Sequence, residues 1–174
     1  MPTASLKRHP ALVPLSRDHH FALMHALALR RSAQAPARGG PGAVTTAEAF
    51  LAFYREELTG HMADEEEALL PIAGSVSPED TRRLLDEHED LRERVAELTQ
   101  LLLDGTDPRS TMQEIGERLH DHVRFEERVF FETVQARLSP EALAGVGLAI
   151  AAHRKARGRG PACPLPPPGI NPGK

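Results

Sequence analysis

Histidine and glutamate recur together at one helical spacing in this chain. The pattern H-x-x-x-E occurs at His61 and Glu65 and again at His122 and Glu126. Residues four apart in an α-helix lie one turn from each other on the same face, so an imidazole nitrogen and a carboxylate oxygen can reach the same ion. Imidazole combined with carboxylate suits iron and, less distinctively, zinc or manganese. The two pairs therefore predict a metal site.

Two further histidines, His19 and His88, face inward when each helix is drawn as a wheel of about 100° per residue. Apolar residues share a side of the helix with each of them: Leu15, Ala22, Leu23 and Ala26 with His19, and Leu84, Leu85, Leu91 and Val95 with His88. Apolar residues flank the two H-x-x-x-E pairs in the same way. Six side chains on four helices are therefore predicted to converge as metal ligands: His19, His61, Glu65, His88, His122 and Glu126.

Two inward glutamates require positive charge, because an unpaired buried carboxylate is strongly destabilising. A pair of metal ions would supply that charge. Each ion would bind two of the histidines and both glutamates, and positions would remain for water, an oxo or hydroxo bridge, or a small oxidant. A single inward histidine is more often structural, so the prediction depends on the complete set. Tyr54, two turns before His61, is either a core residue or a hydrogen-bond donor or ligand at the site.

The remaining charged residues and histidines are predicted to lie elsewhere. Solvated faces are expected for Glu66, Glu67 and Glu127 and for the run Asp86, Glu87, Glu89 and Asp90. Surface or boundary positions are expected for His20, His25 and His120. His9 and His153 fall outside the four helices that carry the pattern, and no role is assigned to them.

Capping residues and helix breakers divide the chain into helices. Pro14, Ser16 and Asp18 indicate a helix start near residue 16, and Pro71 is expected to end the second helix. The predicted helices cover residues 16–34, 47–70, 78–103, 111–138 and, as a short additional C-terminal helix within 139–155, residues 140–155. Strand patterns are nearly absent. The predicted fold is all-α, an up-down-up-down four-helix bundle over residues 1–138, with an N-terminal arm at 1–15 and a disordered Pro/Gly-rich tail at 156–174.

The overall composition narrows the classes of function. A chain of 174 residues is long enough for one domain, and its formal net charge of -4 argues against nucleic-acid binding. No stretch approaches the roughly 18 apolar residues of a membrane span, so a cytoplasmic protein without membrane contact is expected. The single cysteine, Cys163, has no partner for an internal disulfide.

Four segments together resemble the hemerythrin-like (HHE cation-binding) domains in order and spacing. They are SRDHH, HMADEEEALLP, DEHEDLRERV and HDHVRFEERVFFE, and the likeness covers roughly residues 12–138. The resemblance implies an up-and-down four-helix bundle with an interior di-iron site that meets oxygen species. It also implies that the six predicted ligands hold two iron ions. Ferritin-like proteins instead use E-x-x-H, and no glutamate lies three residues before any of the four predicted histidine ligands His19, His61, His88 and His122.

The sequence departs from the oxygen-carrying hemerythrins at two positions. Carriers have a second histidine one turn after the ligand of the third helix, and this chain has Arg92 there. Carriers also end the fourth-helix motif with an aspartate at the position of Glu127, whereas the motif here ends with Glu126. One histidine fewer favours reaction with hydrogen peroxide or O₂ over reversible O₂ binding.

Two functions of different classes follow from this interpretation. The first is redox chemistry at a di-iron pair, with peroxide decomposition or oxidant defence as the expected reaction. The second is a non-catalytic bundle that senses or stores iron or oxygen. A sensor would more often carry an output domain, and residues 140–174 are too short for one. Redox chemistry is therefore the first expectation.

Overall fold

The computed structural model describes residues 7–35 and 42–158 of the chain. Within these ranges the protein is a bundle of helices without strands. We number the helices α1 to α5: α1 is Val13–Gln34, α2 covers residues 43–73, α3 is Pro78–Leu103, α4 covers residues 109–137 and α5 is Pro140–Ala156. The prediction of an all-α fold is confirmed. Most of the predicted tail, with Cys163, lies outside the described residues, as does the beginning of the N-terminal arm.

Helices α2 and α4 are interrupted by π-helical turns at the residues predicted to bind metal. The turns Glu65–Leu69 and Glu126–Phe130 each begin at the glutamate of an H-x-x-x-E pair, and α2 has a further π-helical turn at Tyr54–Leu58. A π-helical turn widens the helix locally and is frequent at functional sites. The predicted spacing of one α-helical turn within each pair is confirmed, because the backbone N–H of Glu65 donates to the carbonyl oxygen of His61 and that of Glu126 to the carbonyl oxygen of His122, and the π-helical turns follow from there.

Helix α2 does not end at Pro71 as predicted but continues to Ala73. The π-helical turn before it restarts the hydrogen-bond register, and Pro71 becomes one of the first residues of the α-helical segment Leu70–Ala73. At that position a residue without an N–H group is well tolerated. Pro71 is therefore compatible with a continuous helix.

The starts of α1 and α4 also lie earlier than predicted, because other residues begin these helices. Pro14 lies in the first turn of α1, which starts at Val13 rather than at Ser16. Helix α4 starts at Arg109, whose backbone N–H donates to Asp107 Oδ1 at 3.1 Å, so Ser110 is inside the helix and does not cap it. The predicted cap of α5 is confirmed, since Ala142 N–H donates to the Ser139 hydroxyl at 3.2 Å.

The core consists of two apolar clusters. The first cluster contains Ala22, Phe50, Met62, Leu91 and Val123, and the second contains Leu15, Ala68, Leu84, Phe130 and Val146, with other residues in each. On all four of α1 to α4 the predicted ligands fall between a residue of one cluster and a residue of the other. The site is therefore a polar layer between two apolar layers, which keep bulk water away from it.

His25 was predicted at the surface or boundary, and this prediction is wrong. Its side chain is 3% exposed, and its ring stacks on Phe53 with the ring centroids 4.1 Å apart. Its Nε2 atom has no hydrogen-bond partner among the described residues. Burial lowers the pKa of His25 to about 4, so the ring is neutral at pH 7 and packs as an aromatic core residue.

Within residues 7–35 and 42–158, no helix combines the length and apolar character that crossing a membrane requires.

Gly116 sets the distance between α4 and α1, which generates a first prediction. A Cβ atom there would lie 2.7 Å from the carbonyl oxygen of Ala26 and 2.6 Å from Arg30 Cγ. We expect Gly116→Ala to destabilise the fold by about 1–3 kcal/mol, because backbone of α1 would have to move. In the control Gly145→Ala, where the added Cβ meets nothing within 4 Å, the higher helix propensity should stabilise by up to about 1 kcal/mol. Denaturant unfolding measures both, and equal stabilisation would contradict the packing argument.

His25 generates a second prediction, on pH dependence. The pKa of His25 is about 6.5 in the unfolded chain and about 4 in the folded state. The free energy of unfolding therefore loses up to about 3 kcal/mol as the pH falls from about 6.5 to about 4, and is unaffected above that window. In metal-free protein, the free energy of unfolding of His25→Leu should fall less between pH 7 and pH 5 than that of the wild type. Urea unfolding at each pH measures this difference. The exposed control His20→Leu should keep the full loss; identical profiles for both variants would refute the assignment.

Candidate metal centre

The six predicted ligands come together in the interior of the bundle. Ligand atoms of two groups of four residues lie within 4.8 Å of one another: His19, His61, Glu65 and Glu126 in one group, and Glu65, His88, His122 and Glu126 in the other. All six side chains are buried, and both glutamates belong to both groups. We call the first group the His19–His61 half and the second the His88–His122 half. Each half offers two imidazoles and shares two carboxylates.

Glu65 faces both halves with different oxygen atoms. Its Oε1 lies 3.3 Å from His61 Nε2, and its Oε2 lies 3.3 Å from His88 Nε2. Glu126 is shared through one oxygen, Oε2, which lies 3.0 Å from His19 Nε2 and 3.3 Å from His122 Nε2. A carboxylate between two sets of imidazoles is placed as a bridging ligand requires.

The glutamate oxygens lack the hydrogen bonds that a structural role would require. Both carboxylate oxygens of Glu65 and of Glu126, and the Nε2 atom of His88, are buried without a hydrogen-bond partner among the described residues. Nearby imidazole nitrogens are within ion-pairing distance, but their directions do not suit hydrogen bonds. Unsatisfied buried carboxylates are strongly destabilising, and cations would satisfy them. The donor set of imidazole and carboxylate therefore fits metal ions.

Without metal, the charges of the side chains offset one another. Burial lowers the pKa of His19, but the carboxylates of Glu126 and Glu127 raise it by more, to about 9. Burial also lowers the pKa of His88, and the nearby carboxylates of Glu65 and Glu66 raise it to about 9. Burial raises the pKa of Glu65, but the adjacent imidazoles lower it well below its usual range. Protonated imidazoles thus balance the glutamates, and a bound cation would displace those protons.

Each histidine is oriented by an acid from another helix. The Nδ1–H groups donate to carboxylates in four pairs: His19 to Glu127 at 2.6 Å, His61 to Asp18 at 3.2 Å, His88 to Glu66 at 2.7 Å and His122 to Glu87 at 2.7 Å. With Nδ1 protonated, the Nε2 lone pair of each ring is available to a metal ion. Such acids fix the orientation and tautomer of a ligating histidine and increase its basicity.

The four acids form a closed ring around the bundle. An acid of α1 accepts from the histidine of α2, an acid of α2 from that of α3, an acid of α3 from that of α4, and an acid of α4 from that of α1. Each acid is adjacent in sequence to a predicted ligand on its own helix. This ring ties all four helices together at the level of the site.

The prediction that Glu66, Glu87 and Glu127 belong to solvated faces is wrong. Each is only partly exposed and bonds to a histidine of the site. Asp18, noted in the sequence only as a favourable acid in a helix start, bonds to His61 in the same way. In the sequence, the one sign of this role was that each of the four acids is next to a predicted ligand. That sign does not reveal which neighbouring helix the carboxylate reaches. The remaining acids of the predicted faces, Glu67, Asp86, Glu89 and Asp90, are exposed or partly exposed.

Comparison with known families agrees with this geometry. Residues 12–134 match the family model described as the hemerythrin HHE cation binding domain. The chain belongs to this family. Neither the search of curated proteins nor the search of solved structures found a significant match. The hemerythrin HHE domain therefore spans α1 to α4 nearly to the end of α4, and α5 lies beyond the matched residues.

In this HHE domain, Arg92 contacts the site indirectly. Its guanidinium donates to Glu66 Oε1 at 2.6 Å, and the same oxygen accepts from His88 Nδ1. A guanidinium is a donor only and cannot replace the histidine of the carriers as a ligand. Tyr54 is half-buried, packs against Phe50 and lies outside both groups of potential ligands. The burial of its phenol raises the pKa of Tyr54, which keeps it protonated near neutral pH.

A cavity of about 260 Å³ lies on the outer side of His122. It is lined by Arg83, Glu87, Asp90, Leu91, Arg118, Leu119, Asp121 and His122. Among the six predicted ligands His122 is the most exposed, at 8%. The cavity therefore brings space for small molecules next to the His88–His122 half of the HHE centre.

The ring of acids generates a third prediction, on metal affinity. Glu66→Ala removes the acceptor of His88 Nδ1–H, so we expect roughly 10–100-fold weaker binding of one metal ion. The adjacent and exposed Glu67 bonds to none of the six ligands, and Glu67→Ala should leave affinity unchanged. Anaerobic competition for Fe²⁺ against a chelator measures both variants. Equal affinities would show that the acid does not support the site.

Proposed function

We propose that this HHE domain binds two iron ions and that the pair reacts with a small oxidant, with peroxide decomposition or oxidant defence as its function. Four histidines would hold the irons, His19 and His61 one and His88 and His122 the other. Glu65 and Glu126 would bridge the pair. The observation that carries the proposal is the shared, unsatisfied pair of glutamates, which belongs to both groups of potential ligands.

The order of the apolar clusters along the helices supports an up-down-up-down bundle around this centre. Helix α1 passes from the second cluster at Leu15 to the first at Ala22, and α3 passes the same way from Leu84 to Leu91. Helices α2 and α4 pass in the opposite direction, for example from Met62 to Ala68. Alternating directions of this kind are what an up-and-down bundle requires.

The balance of hard oxygen and borderline nitrogen donors favours iron over a structural zinc ion. Structural zinc is usually held by four protein ligands in a tetrahedral, cysteine-rich set, whereas each half here has two imidazoles and shares both carboxylates. When bound, a pair of irons supplies Lewis acidity and exchangeable electrons. Peroxide decomposition would convert two molecules of hydrogen peroxide into two of water and one of O₂.

The protein residues have defined tasks in such a reaction. The acids of the ring hold each imidazole with its Nε2 toward the interior, so the ligands need no reorganisation. The apolar clusters above and below exclude bulk water. The cavity beside His122 gives hydrogen peroxide or O₂, the proposed small-molecule partners, a place to approach. Arg92 in place of a further histidine leaves fewer protein ligands than in an oxygen carrier, which favours reaction over reversible binding.

A second candidate function is non-catalytic sensing or storage of iron or oxygen. It is favoured by α5, which packs through Leu143, Val146 and Ile150 against the second apolar cluster, next to the site. A helix outside the family's matched range is suited to reporting whether metal is bound. Turnover of peroxide decides between the two functions.

The fourth prediction tests the metal centre and the reaction together. Iron-loaded protein should contain two irons per chain, show visible absorption that depends on iron, and release O₂ from hydrogen peroxide over many turnovers. His61→Ala and Glu126→Ala should each abolish that absorption, because each removes a proposed ligand. Glu132→Ala, at a position outside both ligand groups, is the control and should keep two irons.

Each outcome has a distinct meaning. Two irons without turnover would replace the redox function by sensing or storage. Normal loading of two irons in His61→Ala or Glu126→Ala would refute the ligand assignment. A wild-type chain that binds no stoichiometric metal would refute the proposed function altogether.

A further inference from the structure

Arg154 connects α5 to two acids of the four-helix bundle. Its Nε–H donates to Asp64 Oδ2 at 2.7 Å, and its Nη2–H donates to Asp18 Oδ2 at 2.6 Å. Asp64 lies on α2 and is fully buried, and Asp18 lies on α1. The Arg154 side chain is only 22% exposed, so solvent screens these ion pairs less than it screens pairs at the surface. One fork of donors therefore spans three helices.

Asp18 is the acid that orients His61. The same oxygen, Asp18 Oδ2, accepts from His61 Nδ1–H at 3.2 Å and from Arg154. A planar guanidinium holds a carboxylate in a defined orientation better than a flexible ammonium does. The position of α5 is thus transmitted to an imidazole of the metal centre through two hydrogen bonds.

The two halves of the centre differ in where their arginines come from. In the His88–His122 half, Arg92 bonds to Glu66 and Arg83 bonds to Glu87, and both arginines lie on α3 within the family's matched range. In the His19–His61 half, the arginines come from segments outside that range. They are Arg154 on α5 and Arg8 before α1, which donates to Glu127 at 2.8 Å. Among the described residues, only the His19–His61 half therefore has its orienting acids held by arginines from outside the family's matched range.

We propose that Arg154 is a positioning residue for His61, acting through Asp18, and that it couples the docking of α5 to metal binding in the His19–His61 half. This inference rests on the proposed two-metal site. Because coupling of two equilibria is reciprocal, metal in this half stabilises docked α5, and undocking of α5 weakens metal binding there. A partner or modification that displaced α5 would act on one metal position and leave the other.

A purely structural role for Arg154 is distinguishable, because Arg157 shares one of its two partners. Arg157 also forms an ion pair with Asp64 and donates to the carbonyl oxygen of Gly60 at 3.1 Å, but no hydrogen bond joins it to Asp18. If Arg154 only neutralised the buried Asp64, loss of either arginine would have similar effects. If it positions His61, only loss of Arg154 affects the metal.

The fifth prediction compares Arg154→Met with Arg157→Met and with the exposed neighbour Lys155→Met in the full chain. Metal-free protein is titrated with Fe²⁺ without oxygen, in competition with a chelator, and the two binding steps are fitted separately. Arg154→Met should weaken one step about tenfold and leave the other unchanged. Arg157→Met and Lys155→Met should stay within about twofold of wild type at both steps.

Hydrogen exchange supplies a readout that does not depend on affinity or activity. Metal loading should slow backbone amide exchange in α5 of the wild type and of Lys155→Met, and this protection should be lost in Arg154→Met. Thermal unfolding of each metal-free variant checks that it is folded. If Arg154→Met does not fold, Arg154→Lys replaces it, since one ammonium lacks the planar fork that holds both acids, and the same weakening of one step is expected.

The outcomes separate this inference from the proposed function. A wild type that binds fewer than two irons would refute the proposed two-metal site. Two irons in the wild type with unchanged binding in Arg154→Met would overturn the positioning role alone. Equal weakening in Arg154→Met and Arg157→Met would also overturn it, because Asp64 rather than Asp18 would then be responsible.

Discussion

The burial of Glu65 and Glu126 is the constraint on which the rest of the structure depends. Both carboxylates are at most 1% exposed and have no hydrogen-bond partner among the described residues. Unpaired charge in a helical core is destabilising, so positive charge must lie close by in every state of the folded protein. Protonated imidazoles supply it without metal, and two cations would supply it when the centre is loaded. The four inward histidines therefore lie where they can balance the charge of the buried glutamates, in addition to being the proposed ligands.

The ring of acids extends the same requirement outward from the centre. Each imidazole that faces a buried glutamate at Nε2 faces a partly exposed acid at Nδ1, and each of these acids meets an arginine: Glu127 meets Arg8, Asp18 meets Arg154, Glu66 meets Arg92 and Glu87 meets Arg83. From the centre to the surface, each of the four histidines thus belongs to a series of alternating groups: a buried glutamate, the imidazole, an acid and an arginine. Because every acid comes from a helix other than that of its histidine, these series also join the helices. The chemistry of the site and the packing of the bundle are consequently coupled.

The same arrangement makes the two halves of the centre unequal. The His88–His122 half is supported from within α3 and borders the cavity beside His122. The His19–His61 half is supported by Arg8 and by α5, outside the range that matches the family. One half is therefore suited to meeting small molecules, and the other is suited to communication with the rest of the chain.

The sequence by itself determined the all-helical fold, the family and the six residues that converge, because the helical repeat places residues three, four and seven positions apart on one face. It also determined the limits of α3 and the cap of α5. Only the tertiary structure decided the π-helical turns, the continuation of α2 past Pro71, the burial of His25 and the partners of Asp18, Glu66, Glu87 and Glu127. The π-helical turns depart from the regular helical repeat itself, and the continuation past Pro71 follows from the turn before it. The burial of His25 and the partners of the four acids arise between helices, where the rotation and spacing of neighbours set which side chains meet, and a periodicity along one helix carries no information on that.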